Sequence, residues 1–585
     1  MRRGARSWRT LATGKLLSIL PSLSAQSWKR TILLLKRPFN IAEIAVLLAC
    51  TLLSFAFAEE SLAQAEVEPH QTYEEMAEEL SPGVKQIRLS LEDCIATALK
   101  NNLDIEVEGY FPRINETLIQ SEKGVFDPYL YFNATYVNRM DPLPVMVSVA
   151  TGGLTAVETE QWLITGGLAG AIPTGLTYDI NVESTHTPFS TTTDFLNANK
   201  ETRLESSLTI SQPLLKGFGM AVNTTGIHVA VKNQEASVYQ LQQRILDTVF
   251  AVEQAYWELV FSYENLRVKM KSLRLAQNLL DENRIRLKVG VIAPLAVLQS
   301  ETGVVVREQE LIVAQARVRD ARDRLIQVVN LFPEQLLWDV EIVPADEPLS
   351  LPSGEYSEGE QISIALRNRP ELKLLLKQQE AADLGARFAK NQLLPSLNLN
   401  ASVGLIGLDD DFDASFFPAF FGGLPLPPSP DKGIDPAVDD LFSGDNVQWT
   451  VGFTFELPWG RHYERGQHRI ANLQVSQLDA GIQNTRQLII QDTRAALRGV
   501  DTNWQRVVSA RETVRFRRES LLAERKKFEV GVSTAHDLLE FEEELAQAEA
   551  NERRATIDYV ISMSNLLRAT GTLLQARNVE LSVGS

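Results

Sequence analysis

Along residues 447–457 the chain alternates. Val447, Trp449, Val451, Phe453, Phe455 and Leu457 fall on one side, and Gln448, Thr450, Gly452, Thr454 and Glu456 on the other. A period of two predicts a strand with one apolar and one polar face. Leu397 to Leu405 repeats the pattern, with Asn398, Asn400 and Ser402 as its polar side, and Tyr129–Tyr136 and Leu204–Gln212 behave similarly. Helix-like segments, about 91–125 and 359–393, precede the strands in each half. After each second strand comes a proline, Pro213 or Pro458, and the period changes. Residues 226–289 and 467–530 are polar-rich, poor in Gly and Pro, and carry spaced apolar positions such as Val238, Leu241, Ile245, Val249, Val252 and Tyr256. At 1.5 Å per residue each makes a rod about 96 Å long, which points to a coiled coil or bundle. Gly290 and Gly531 end the rods as glycine commonly ends helices. Further helices are expected at about 295–330 and 536–571, so each Val-Gly-Val site is the tip of a helical hairpin.

The two halves share one plan. Sliding the chain by 241 residues sets Arg286-Leu-Lys-Val-Gly-Val291 on Lys527-Phe-Glu-Val-Gly-Val532, and the same register pairs Leu298 with Leu539, Tyr263 with Trp504 and Ala230 with Ala471. An offset of 267 aligns Ala98-Leu-Lys-Asn101 with Ala365-Leu-Arg-Asn368, then Pro128 with Pro395 and Asn133-Ala134 with Asn400-Ala401. The change of offset marks a longer insertion in the first half. The organisation expected is a leader at 1–58, an acidic segment at 59–87, a first repeat at 88–335, a linker at 336–358, a second repeat at 359–575 and a tail at 576–585.

The leader carries Arg2, Arg3, Arg6, Arg9, Lys15, Lys29, Arg30, Lys36 and Arg37 with no acid before residue 43, then an almost wholly apolar run from Ile44 to Phe57. This reads as an export signal, with Ala56-Phe57-Ala58 or Ala63-Gln64-Ala65 as the cleavage site. The run is short for a spanning helix. Leu47-Leu48-Ala49-Cys50 resembles a lipidation motif, although the apolar run continues past it. The formal charge is -18 over the whole chain. Cutting after Ala58 leaves 48 basic against 74 acidic residues, a net of -26, with Cys94 as the single cysteine.

These numbers exclude several classes. The acidic balance argues against a nucleic-acid binder, and two cysteines build neither a disulfide scaffold nor a Cys-based zinc module. Six histidines at 70, 186, 228, 462, 468 and 536 make no metal-ligand motif, so neither metal nor cofactor is expected. Gly217-Phe-Gly219 lacks the context of a dinucleotide site and no phosphate-binding loop occurs. No nucleophile, base and pocket point to an enzyme.

Alternation suits a half-buried sandwich strand as well as a membrane barrel; the export leader and the small number of strands favour the barrel. Strands of about 9 to 11 residues cross a bilayer when tilted. Four strands, or six with an alternating pair around Ile172-Pro-Thr-Gly175, cannot close a barrel, which needs about eight, and lipid does not tolerate open edges. Several copies must therefore pool their strands, with the rods continuing as a helical tube.

The order helix, strand, strand, long helix, hairpin glycine, helix, given twice, resembles the TolC-like outer membrane efflux protein family over about residues 88–575. Ala98-Leu-Lys-Asn, Pro395-Ser-Leu, Lys288-Val-Gly-Val and Glu529-Val-Gly-Val carry the likeness. The resemblance implies a mixed α and β membrane protein: a trimeric outer-membrane β-barrel of about four strands per protomer, twelve in all, continued by an antiparallel α-helical coiled-coil tunnel across the periplasm. It implies an exit duct of a tripartite efflux pump or type I secretion system, docked to a periplasmic adaptor and an inner-membrane transporter of RND, ABC or MFS type. Gly290, Val291, Gly531 and Val532 look like the family's adaptor-docking tips. Asp537 and Glu540 match its periplasmic aperture acids, while the first-half equivalents, Ala296 and Gln299, are neutral. Where the family often carries Tyr and Arg beside the second glycine, Phe528 and Ser533 lack the hydroxyl and the charge. The reading of another class is a periplasmic or secreted coiled-coil structural protein with a small soluble sheet, extractable without detergent.

Overall fold

A computed structural model of the chain describes residues 72–150, 153, 155–190, 198–333, 340–348, 356–412 and 434–579. The chain divides into two units, Met1–Thr72 and Tyr73–Ser585, and every described element belongs to the second. The leader, its cleavage sites and Cys50 lie outside the described residues.

The first half opens with α1 (Tyr73–Leu80), β1 (Lys85–Leu89), α2 (Leu91–Asn101) and α3 (Leu103–Lys123). The single helix expected over 91–125 is broken at Asn102, whose N–H closes α2 on the Ala98 carbonyl while its side chain accepts from the Ile105 N–H and starts α3. One residue thus serves as C-cap and N-cap. In the second half α6 (Glu358–Asn368) and α7 (Pro370–Asn391) divide at the same place. There Pro370 sits at the first helical position, where its missing N–H costs nothing.

The rods are as long as the pattern requires. Helix α4 (Thr225–Lys288) has 64 residues and returns through α5 (Pro294–Val329); α9 (His462–Glu529) has 68 and returns through α10 (Ala535–Ala569). Helices α3 and α7 pack beside α4, and α6 and α7 beside α9. The main core surrounds the middle of α4, where Val252, Tyr256, Leu259, Val260 and Tyr263 are fully buried against α1, α2, α5 and the end of α10. Burying such side chains contributes roughly 1.5–3 kcal/mol each before entropy is counted.

A small parallel sheet that the pattern did not reveal crosses this level. Strand β1 pairs with β6 (Val340–Pro344), Ile87 opposite Ile342, and β6 lies in the stretch expected as linker. Its Glu341 is fully buried, held by the Ser81 hydroxyl and the Arg322 guanidinium, each at 2.7 Å.

The large sheet has the larger of the two strand counts that alternation allowed, and not the four of the family resemblance. It has six, all antiparallel, in the order β2-β3-β4-β5-β7-β8. The strands are β2 (Tyr129–Pro142), β3 (Ala156–Ala171), β4 (Thr177–Ser190), β5 (Ala198–Pro213), β7 (Ser396–Phe412) and β8 (Val447–Glu456). The added pair, β3 and β4, is the first-half insertion, joined through the turn at Ile172–Gly175. Gly175 has φ of 94°, a conformation that disfavours any side chain. Of the stretch 406–446 between the last two strands, the described residues are mostly strand and helix. Strand β7 runs on to Phe412, and α8 (Ile434–Ser443) packs Ala437 and Leu441 on Leu204 and Leu405; residues 413–433 lie outside the described residues.

Candidate functional site: the hairpin tips and the sheet

Both tips close in the same way. Gly290 donates to the Leu287 carbonyl and Val291 to that of Arg286; Gly531 donates to the carbonyl of Phe528 and Val532 to that of Lys527. This is a Schellman motif, and each glycine has φ of 78°. A Cβ added at either would meet nothing within 4 Å, so the glycines answer to backbone conformation and not to crowding. The valines have no such duty. Val289, Val291, Val530 and Val532 are 69%, 72%, 74% and 77% exposed, a strongly apolar end on each hairpin that the fold does not use.

Just behind the tips the two hairpins are joined. Phe528, buried, packs with Ala276, Leu279, Leu280, Val304, Ala535, Leu538 and Leu539. The Arg286 guanidinium lies 4.8 Å from the Phe528 ring centre, a cation–π contact between the hairpins. Deeper in, Arg307 is buried. Its Nε donates to the Ser272 hydroxyl at 3.1 Å and its Nη2 to the Leu539 carbonyl at 3.0 Å, tying α5 to α10. The helices approach closely there because residue 303 is glycine: a Cβ would stand 3.0 Å from Leu539 Cδ1. The position expected to lack a polar lock therefore carries an aromatic one. Pattern reading missed it because Arg286 and Phe528 are far apart in sequence.

Asp537 and Glu540 share a face at the start of α10, and the structure gives Asp537 a local duty. Its Oδ2 accepts from the Thr534 N–H at 3.1 Å and from the Thr534 hydroxyl at 2.7 Å, while its own N–H donates to Thr534 Oγ1. This reciprocal capping box holds the Asp537 carboxyl below the usual carboxylate range, through the hydrogen bonds from the Thr534 side chain and then its backbone. Glu540 is exposed. Two residues after Glu540, burial pushes the Glu542 carboxyl up, partly offset by the Arg307 and Arg525 charges, and its Oε2 has no hydrogen-bond partner. The spacing Thr534-x-x-Asp537 is the signal by which this overlooked box could have been found; nothing in the pattern singled out Glu542.

At the other end of the molecule the large sheet exposes its apolar side. Leu130, Phe132, Trp449, Val451 and Phe453 are all exposed. Strands β2 and β8 are its two outer strands, each paired on one side only. No helix among the described residues is long and apolar enough to cross a membrane, and no group of His, Cys, Asp and Glu among them could hold a metal ion.

The architecture has counterparts. The chain resembles the outer membrane channel CmeC of Campylobacter jejuni with a TM-score of 0.56 at 15% identity, covering 87% of this chain and 90% of that one. The outer membrane channel MtrE of Neisseria gonorrhoeae gives 0.56 at 18% identity, with coverages of 84% and 91%. In sequence, the outer membrane protein TolC of Escherichia coli (strain K12) is 23% identical over 343 residues, 57% of this chain and 63% of that protein. The TolC of Salmonella enteritidis is also 23% identical over 343 residues, 57% of this chain. The chain thus spans under two thirds of these relatives, 63% and 62% of their lengths. The family model described as outer membrane efflux protein matches residues 175–331 and 361–572, one segment in each repeat. That match sets aside the soluble structural protein, and the chain belongs to the outer membrane efflux protein family.

Proposed function

We propose that the protein is the outer membrane exit duct of a tripartite efflux or secretion system, passively conducting solutes from periplasm to exterior. The observation that carries this reading is the sheet: one apolar face exposed to the surroundings, two unclosed edges, and rods roughly 100 Å long leading away from it. An unclosed edge cannot stay in lipid, so copies must join β8 of one to β2 of the next. The helices support the same assembly. Leu103, Val107, Tyr110, Ile114 and Leu118 form an exposed apolar stripe on α3, and Leu298, Val305 and Ile312 another on α5, which neighbouring copies in a ring would cover.

In this reading three copies assemble, the number that the family resemblance implies, with the leader at 1–58 directing export and the helices spanning the periplasm. The tips Gly290–Val291 and Gly531–Val532 dock a periplasmic adaptor, which links the duct to an inner-membrane transporter. Asp537 and Glu540 from each copy ring the periplasmic mouth, where carboxylates attract cations; capping α10 leaves Asp537 free to serve there as well. The test is fractionation followed by substitution. The protein should require detergent for extraction and run as a trimer. Val291→Asp with Val532→Asp should abolish export while leaving trimers intact, because neither side chain supports the fold. Normal export by that variant would remove the docking role, and extraction without detergent would remove the duct.

A further inference from the structure

The β3–β4 hairpin raises the strands per chain from the four that the family resemblance implies to six, and the register shows where it stands. Directly paired residues of antiparallel strands project from the same side of a sheet, and their chain neighbours from the other. One row runs Leu130, Leu168, Ile180, Leu208, Val403 and Trp449, one residue from each strand and every one apolar. The adjacent row runs Tyr131, Gly167, Asn181, Ser207, Gly404 and Gln448, every one polar or glycine. At this level of the sheet the apolar and polar faces therefore continue through the hairpin. A hairpin folded into the lumen or lying outside the wall would have no need to match the lipid face of its neighbours.

The polar face also binds the hairpin to the rest of the sheet. The Tyr131 hydroxyl reaches over β3 to donate to Asp179 Oδ2 of β4 at 2.9 Å. Gly167 leaves room for it, since a Cβ there would stand 2.7 Å from the Tyr131 ring. On the far side the Ser207 hydroxyl of β5 donates to Asn181 Oδ1 at 3.0 Å.

We infer that the β3–β4 hairpin is a segment of the membrane wall, so that the assembled barrel has eighteen strands and a correspondingly wide outer mouth. The count rests on the trimeric duct proposed above: three copies of a 6-stranded sheet. With strands about 4.8 Å apart and tilted about 40°, each strand takes roughly 6.3 Å of perimeter. Eighteen strands give a backbone diameter of about 36 Å and twelve about 24 Å, a ratio of roughly 1.5 whatever the tilt. The hairpin thus sets the calibre of the exit, while Asn181 and Glu183 on its polar face line the lumen.

Topology supplies the test. β2 ends at Pro142 and β5 begins at Ala198, both at the same end of the sheet. Removing Leu143–Asn197 and inserting an Asn-Gly turn leaves an antiparallel four-stranded meander with matching faces. Electron cryomicroscopy of the full chain in lipid nanodiscs should show a trimer with eighteen strands, and the deletion variant a trimer with twelve, narrower by about a third. A twelve-stranded wild-type trimer with the hairpin outside the wall overturns the inference and leaves the duct standing; a wild type without trimer or barrel removes the duct itself. If the deletion variant fails to assemble, labelling of the full-length protein decides. A charged, membrane-impermeant maleimide should modify Asn181→Cys and spare Val182→Cys; equal labelling of both, or the reverse order, refutes a place in the wall.

Discussion

Replacing Phe528 with alanine should loosen the tips without touching the centre of the molecule. The side chain is 7% exposed and packs among residues of α4, α5 and α10 in a cluster separate from the main core. Truncating a buried Phe costs about 3–5 kcal/mol, transfer and cavity terms together, and the lost Arg286 contact adds about 0.5–1 kcal/mol. Because the cluster stands near the end of rods roughly 100 Å long, the cost falls on local opening and not on global unfolding. At 1.4 kcal/mol per tenfold, even 3 kcal/mol speeds exchange through such opening by roughly 100-fold. Hydrogen exchange on purified protein should show this acceleration in 276–289 and 521–540, with 252–266 unchanged. Phe528→Leu, which keeps most of the volume but loses the ring, should fall between. Unchanged protection at the tips, or equal acceleration in both regions, would refute the idea that Phe528 joins the hairpins as a local unit.

The two tip carboxyls should respond to pH in opposite senses. The Asp537 carboxyl is held low by its capping box, so its contribution is present above the ordinary carboxylate range and lost as pH falls through the depressed value. Thr534→Ala should erase that acid-side loss in tip protection measured against pH. The Glu542 carboxyl is pushed up by burial, so its penalty is absent in acid and grows as pH rises from the ordinary range through the raised value. Glu542→Gln should therefore protect the tips at neutral pH and make no difference below about pH 4; a gain that persists in acid would point to packing instead. In the main core, Arg577 holds the buried Glu253 carboxylate through two hydrogen bonds at 2.7 and 3.1 Å. Arg577→Ala leaves that charge unpaired and should cost about 3–5 kcal/mol, read as a lowered denaturation midpoint, whereas the paired change Glu253→Leu with Arg577→Met should recover most of it.

Features written in local periodicity were legible in the sequence, and those made by distant pairing were not. Strands β7 and β8 alternate cleanly because one side carries Leu397 to Leu405 and Val447 to Phe455, and the rods and their glycine tips followed from spacing. The β3–β4 hairpin was harder to see. Gly166, Gly167 and Gly170 dilute its alternation, and Glu158 and Glu160 fall in register with the apolar side, so it showed only as an optional alternating pair around Ile172–Gly175 and a change of repeat offset. Strand β1 has five residues and finds its partner only across the whole first repeat, beyond any local signal. Asp537 stood out only as an acid matching the family's aperture, and the Thr534 capping box that it closes was overlooked although its spacing is local. The Arg286–Phe528 contact needed both hairpins side by side before it could appear at all.

Conductance across a planar lipid bilayer tests the central claim most directly. Detergent-extracted, full-length trimers should insert and produce discrete single-channel steps, and the hairpin deletion and Phe528→Ala proteins serve as internal variants of the same duct. Protein that purifies as trimers yet never raises the conductance of the bilayer above its bare value would contradict a water-filled passage through the pooled sheets.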